Sequence, residues 1–437
     1  MSSSNFEQLQ NDLHPPLTRH EALVESDRCY FCYDAPCVTA CPTGIDIPLF
    51  IRQIGTDNPK GSARTIFNEN ILGGMCARVC PTETLCEQAC VRNTAEDNPV
   101  RIGELQRYAT DHLMLTGKQP YTRAASTGRK VAVVGAGPAG IACAHRLSMY
   151  GHDIEIFDAM PKPGGLNEYG IAAYKTVDDF AQAEVQYILS IGGITVKHNH
   201  VLGVDVTLDE LKQHYDAVFL GVGLGDVNTL AIEGQELDGV MDAVAVIRDI
   251  RQASDLSALP VGRRTIVVGG GMTAIDAAVQ TRMLGAEEVT VAYRRGVERM
   301  NASVFEQDLA KVNGVMIRTG LQPLRILGDD GKVSAIEFSY MHVNDGAYET
   351  TGETLILSCD RVLMAIGQQF AMSSEGTGIE MDAGRIKVNT EQQTSDDKIW
   401  AGGDCVSGGE DLTVAAVQDG KLAAESIHAH LQELRHG

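Results

Sequence analysis

Eight of the chain's eleven cysteines fall between Cys29 and Cys90, in two short runs, CYFCYDAPCVTACPTG and CARVCPTETLCEQAC. The first run supplies Cys29, Cys32, Cys37 and Cys41, followed by Pro42; the second supplies Cys76, Cys80, Cys86 and Cys90, with Pro81 after Cys80. Thiols spaced this closely serve as disulfides or as metal ligands. Short groups that each hold a Cys-Pro pair fit iron–sulfur ligation better than zinc, because ferredoxin-like runs share ligands between two cubanes. Tetrahedral zinc also uses short spacings, so spacing alone leaves both open. The compartment removes the disulfide option. The opening MSSSNFEQLQNDLHPP has neither a basic stretch nor an apolar core, and no apolar run reaches the roughly 18 residues of a membrane helix. A cytoplasmic location is expected, where thiols stay reduced.

Two glycine turns carry the next chemistry. In RKVAVVGAGPAGIACAHRLSMYGHDIEIFD an apolar strand runs into Gly135, Gly137 and Gly140, a helix follows from Pro138 and Ala139, and a second strand ends in Asp158. Gly135 makes the tight turn, Gly137 lets a pyrophosphate approach the helix N-terminus, and Gly140 allows helix to pack on strand. Asp158 stands where a carboxylate accepts hydrogen bonds from ribose hydroxyls. In RRTIVVGGGMTAIDAAVQTRMLGAEEVTVAYRR the same unit recurs with Gly269, Gly271, Met272, Thr273 and Ala274, but its second strand ends in Arg294 and Arg295. Guanidinium groups there pair with a 2′-phosphate. The first unit therefore suits FAD and the second NADP, with NAD still open. A formal charge of -22 opposes nucleic-acid binding.

These residues need elements to hold them. Residues 43 to 115 read as helical, with IPLFIRQI and GELQRYATDHLML apolar at helical spacing. TGKQPYTRAASTG is a linker, after which strand, turn and helix alternate. Near the end, IWAGGDCVSGGEDLTVAAVQDGKLAAESI reads as a short strand, a turn at Gly403 and Asp404, and a helix opening near Thr413. The expected architecture is α/β: an N-terminal α-helical domain over 1–122, a discontinuous dinucleotide domain over 127–227 and 368–437, and a second Rossmann-like domain over 228–367 inserted in the first.

In this order the chain resembles the N-terminal half of dihydropyrimidine dehydrogenase and the separate flavin subunit of the bacterial enzymes of that family, and it is also similar to the glutamate synthase small subunit. The segment ACPTGIDIPLFIRQI, the five residues between Cys80 and Cys86, and Gln106 in IGELQRYA match the pyrimidine family. The resemblance implies two 4Fe-4S clusters, one held by Cys29, Cys32, Cys37 and Cys90, the other by Cys41, Cys80, Cys86 and the side-chain oxygen of Gln106. Cys76, Cys143, Cys359 and Cys405 are left as packed small side chains. It also implies that Asp404 bonds the flavin ribitol and that Gly164, Gly165 and Lys175 line the isoalloxazine pocket. Met272 stands where relatives often have aspartate, and GIAAYKTVDD replaces a segment that commonly reads Phe-Arg-Leu-Pro.

The implied activity is electron input. NAD(P)H reduces FAD, and the clusters carry single electrons to a partner. No catalytic acid–base residue is expected. The three domains account for the chain and leave no TIM barrel, so an FMN-containing barrel subunit with ferredoxin-type clusters is the expected partner in a hetero-oligomer that reduces uracil or thymine. The alternatives are a glutamate synthase small subunit or related diaphorase, and a zinc-stabilised nucleotide-binding protein.

Overall fold

The computed structural model describes residues 9–344, 347–371 and 378–436. Residues 1–8, part of the opening read for targeting, lie outside that range. Among the described residues no helix is long and apolar enough to cross a membrane. The chain forms two compact units: one of Tyr169–Asp178 and Asp226–Gln369 with the residues through Leu13, the other of His14–Glu168, Asp179–Gly225 and Phe370–Gly437.

The larger unit begins with helices α1 (Arg19–Asp27), α2 (Ile47–Gly55), α3 (Pro59–Glu69), α4 (Gly73–Val79), α5 (Val91–Glu96) and α6 (Ile102–Met114). The stretch read as continuously helical is broken at the cysteines. Thr18 and Glu21 form a reciprocal capping box on α1, and the Asp46 carboxylate accepts from the Leu49 amide to start α2. The helices bury Ile47, Phe50, Ile51, Ile54, Ile66, Phe67, Leu105 and Ala109 in a core that also takes Ile141, Val185 and Ile188 from the dinucleotide half of the unit. Helical domain and dinucleotide half thus share one hydrophobic interior.

That half is built on β1 (Lys130–Val134), α7 (Pro138–Met149), β2 (Asp153–Asp158), α8 (Phe180–Leu189), β3 (Ile194–His198) and β4 (Ala217–Leu220). The chain then enters the smaller unit with β5 (Val240–Asp242), α9 (Ala243–Gln252), β6 (Arg264–Gly269), α10 (Met272–Met283), β7 (Glu288–Tyr293), α11 (Val304–Val312) and β8 (Met316–Thr319). A meander of β9 (Leu321–Asp329), β10 (Lys332–Asn344) and β11 (Ala347–Ser358) follows, then β12 (Arg361–Ala365). It returns to the larger unit with β13 (Ile399–Ala401) and α12 (Thr413–His436).

Each unit holds a five-stranded parallel sheet, ordered β13-β4-β1-β2-β3 in the larger and β5-β12-β6-β7-β8 in the smaller. The antiparallel meander was not anticipated from the sequence, although Asp330 and Gly331 at its first turn both take positive φ, 47° and 77°, the conformation of a two-residue hairpin turn.

Candidate cofactor sites

The first glycine turn is built for close backbone approach. Gly135 has φ of 99°, and a Cβ there would lie 2.3 Å from the Gly221 carbonyl oxygen; one on Gly140 would lie 1.9 Å from the Gly135 oxygen. No other residue fits either place. Gly137 caps α7, with Pro138 as the first helical residue, and a Cβ there would meet only Gly165 Cα at 3.9 Å. The helix therefore offers free N–H groups to an anion. The Gly164 amide donates to Ala136 O at 2.8 Å, and a Cβ on Gly165 would press to 2.8 Å from Gly137 Cα, so the two glycine turns lie against each other.

Asp158 ends β2 with its carboxylate buried. Its oxygens accept from the Ala136 amide at 2.5 Å and the Met160 amide at 2.7 Å, and burial raises its pKa. The acid braces the turn as well as standing where ribose would bind. The closing turn packs into the same region: the Gly403 amide donates to Asp419 Oδ2 at 2.8 Å, and a Cβ on Gly403 would lie 3.2 Å from Ala139 Cβ and 3.5 Å from Ala416 Cβ. Desolvation, with Asp411 and Asp419 nearby, pushes Asp404 up to about 7. A carboxyl so placed gains from hydroxyl donors such as those of a ribityl chain. Thr413 opens α12, and its hydroxyl donates to Asn167 Oδ1 at 2.7 Å. Sequence reasoning passed over Asn167, which belongs to no motif.

The cysteines gather as two sets. Cys29, Cys32, Cys37 and Cys90 line one pocket with Ile47, Ile51, Val100 and Ile102. Burial raises Cys29 and lifts Cys37 to about 12, each with Cys90 among its charged neighbours. Thiols pressed together without a cation resist ionisation; a cationic cluster reverses that balance. Cys80 has Cys86 and Cys41 as electrostatic neighbours, and Cys86 has Cys41 and Cys37, so the second set abuts the first. Gln106 lies on the buried face of α6, 8% exposed, and its Nε2 donates to the Gly73 carbonyl at 2.7 Å. That bond consumes the amide nitrogen and leaves Oε1 as the group able to ligate iron. Donor types suit iron–sulfur clusters, and the shared pocket brings the first four thiols together. Cys76 is buried as expected, yet its thiol also hydrogen-bonds Cys80, a contact the spacing did not suggest. Cys143, Cys359 and Cys405 are buried small side chains.

In the smaller unit, Gly269 has φ of 152° and a Cβ there would lie 2.2 Å from Ala365 O. Gly271 caps α10 and has open space around it, while Met272 and Thr273 begin the helix and Ala274 is buried. Arg294 and Arg295 are exposed at the end of β7, and neither has an ion-pair partner among the described residues. Lys175 is spent inside this unit: Nζ lies 2.8 Å from Asp276 Oδ1 and 2.8 Å from Glu306 Oε1, both acids buried and the lysine nearly so. The Tyr174 hydroxyl also donates to Asp276, and the Ala173 amide to Gln280 Oε1. The divergent GIAAYK segment is thus anchored on α10.

Two family models match the chain: pyridine nucleotide-disulphide oxidoreductase over residues 129–420, and dihydropyrimidine dehydrogenase domain II, 4Fe-4S cluster, over residues 5–118. Among curated relatives, the NAD-dependent dihydropyrimidine dehydrogenase subunit PreT of Escherichia coli (strain K12) is 36% identical, with 97% of each chain covered. The glutamate synthase [NADPH] small chain of the same strain is 34% identical over 95% of this chain and 93% of its own. Mycobacterium tuberculosis FprA in complex with NADPH matches in fold, with a TM-score of 0.58 at 20% identity over 71% of this chain and 86% of that one. The thioredoxin reductase of T. acidophilum matches at 0.55 and 21%, over 69% of this chain and 98% of that one.

Proposed function

The chain belongs to the pyridine nucleotide-disulphide oxidoreductase family and carries the iron–sulfur domain of dihydropyrimidine dehydrogenase, and from that premise we propose that it is the electron-input subunit of a dihydropyrimidine dehydrogenase. It is an NAD(P)H-dependent flavin and iron–sulfur oxidoreductase. The observation that carries the electron-input reading is that the cysteine sets and the first glycine turn occupy one compact unit with a common core.

Bound FAD supplies two-electron acceptance with one-electron release, and 4Fe-4S clusters supply one-electron carriage. The chain's own residues position these groups. Gly137 and the α7 N-terminus receive the pyrophosphate, Asp158 the ribose and Asp404 the ribityl hydroxyls. Gly271 and the α10 N-terminus take the nicotinamide dinucleotide, with Arg294 and Arg295 available to a 2′-phosphate. Cys29, Cys32, Cys37 and Cys90 hold one cluster; Cys41, Cys80, Cys86 and Gln106 hold the other. The partner in this reading bears FMN in a barrel with ferredoxin-type clusters and reduces uracil or thymine, and the complex is cytoplasmic.

The test pairs two acceptors. The isolated chain, carrying on the order of eight irons and one FAD, should oxidise NAD(P)H with ferricyanide and leave uracil unchanged; uracil reduction should appear only when an FMN-bearing partner is added. Uracil reduction by the isolated chain, or glutamate formation with an amidotransferase partner instead, overturns the assignment.

A further inference from the structure

A buried amide stands unpartnered beside the N-terminus of α12. Asn167 is 3% exposed; its Oδ1 accepts from Thr413 Oγ1 at 2.7 Å, while its Nδ2 has no hydrogen-bond partner among the described residues. A buried donor left unsatisfied is costly, so an amide retained in this state points to an acceptor that arrives with a ligand.

The surroundings narrow which acceptor that is. Asn167 follows Gly164, whose amide donates to Ala136 O, and Gly165, which presses against Gly137 at the foot of α7, and Thr413 begins a helix whose first turn packs on the Gly403 turn. With the pyrophosphate assigned to the α7 N-terminus and the ribityl chain to Asp404, the part of FAD left for this amide is the ring. We propose that Asn167 Nδ2 donates a hydrogen bond to an acceptor atom of the FAD isoalloxazine ring, with Thr413 holding the amide in register. The donor and the α12 N-terminus both favour the negative charge that the ring gains on reduction. Asn167 is therefore a positioning and potential-setting residue, an assignment that rests on the flavin reading of this unit.

The experiment uses the full chain and the variants Asn167→Leu, Asn167→Asp and Thr413→Val. Three quantities are read: FAD affinity of the apoprotein, the flavin absorption spectrum, and the flavin midpoint potential, with apoprotein melting recorded alongside. Asn167→Leu should shift the flavin absorption and weaken reduced FAD about tenfold more than oxidised FAD, which lowers the midpoint by about 30 mV for a two-electron couple. Asn167→Asp keeps the shape and the bond from Thr413 but replaces the donor with a negative acceptor, so its midpoint should fall further. Thr413→Val, which frees the amide to rotate, should fall between wild type and Asn167→Leu. If Asn167→Leu does not fold, Asn167→Ser is read in the same way. A variant at Asn167 with wild-type spectrum and midpoint overturns the proposal, whether or not its affinity or melting changes. Wild-type protein that takes up no FAD sinks the flavin reading and this inference with it, whereas variant spectra and potentials with FAD bound test the inference alone.

Discussion

Glu184 on α8 accepts the backbone N–H of Gly74 at 2.8 Å and that of Met75 at 3.1 Å, across more than a hundred residues of chain. Helix α4, which leads into Cys80, has no side-chain cap of its own, so its first amides are satisfied by a carboxyl from the flavin half. Burial pushes Glu184 up to about 8, against the opposite pull of the two amides and of Arg78. Glu184→Ala should cost about 1–3 kcal/mol and lower the iron content of the second cluster, because two buried N–H groups lose their acceptor. Glu184→Gln should be nearly silent. Iron analysis and thermal melts decide it; unchanged melting in the alanine variant would sink the capping role.

Gln106 makes the sharpest separation between electron entry and electron exit. Gln106→Ala removes the proposed oxygen ligand and breaks the bond from its Nε2 to Gly73 O. In the assembled complex, uracil reduction should fall steeply while NAD(P)H–ferricyanide turnover largely persists, since hydride uptake precedes the cluster. Both assays belong on one preparation. Wild-type uracil reduction would remove Gln106 from the ligand set.

Arg294 and Arg295 bear on coenzyme choice, where the relatives divide between NAD-dependent and NADPH-named chains. Replacing both by alanine should raise KM for NADPH by about tenfold to a hundredfold and leave KM for NADH nearly unchanged, as a charge-assisted contact contributes about 1.5–3 kcal/mol. Equal effects on both coenzymes would make the pair bystanders and favour NADH.

Acid should destabilise the flavin unit through histidines that fold neutral. Burial, aided by Arg146, holds His145 down at about 3; burial, aided by His428, holds His152 at about 4. Unfolded histidine binds its proton near pH 6.5, so the unfolded chain holds more protons between that value and the folded values. Stability contributed by these groups is present above pH 6.5 and is lost as pH falls towards 4. Denaturant titrations of wild type and His152→Gln across this range should show a shallower pH dependence in the variant. Identical slopes would contradict the assignment.

Lys175 tests structure against chemistry. Its ammonium neutralises the buried carboxylates of Asp276 and Glu306, and both carboxylates raise its pKa. Lys175→Met leaves those acids without their cation and should destabilise the smaller unit by about 3–5 kcal/mol. With an ion-pair role alone, the flavin spectrum of folded variant stays unchanged. A shifted flavin spectrum at wild-type stability would instead return Lys175 to the isoalloxazine pocket expected from the resemblance.

Sequence by itself determined the features whose requirements are local. Gly135, Gly140 and Gly269 are written into the chain because each place demands a positive φ or an absent Cβ within a few residues of a strand end, and the cysteine runs point to metal chemistry through spacing read together with a reducing compartment. Breaks in the helical domain and the three-stranded meander were harder to read, since short apolar runs suit helix and strand alike until packing decides. Tertiary structure alone decided which thiols share a pocket, which end of the Gln106 amide is already bonded, and that Lys175 meets Asp276 and Glu306 rather than standing free. The same holds for Glu184 over α4 and for the orphaned Asn167 amide. Each of these depends on groups brought together from distant parts of the chain, and a buried polar group takes its role from the partners it finds there, which residue spacing does not encode.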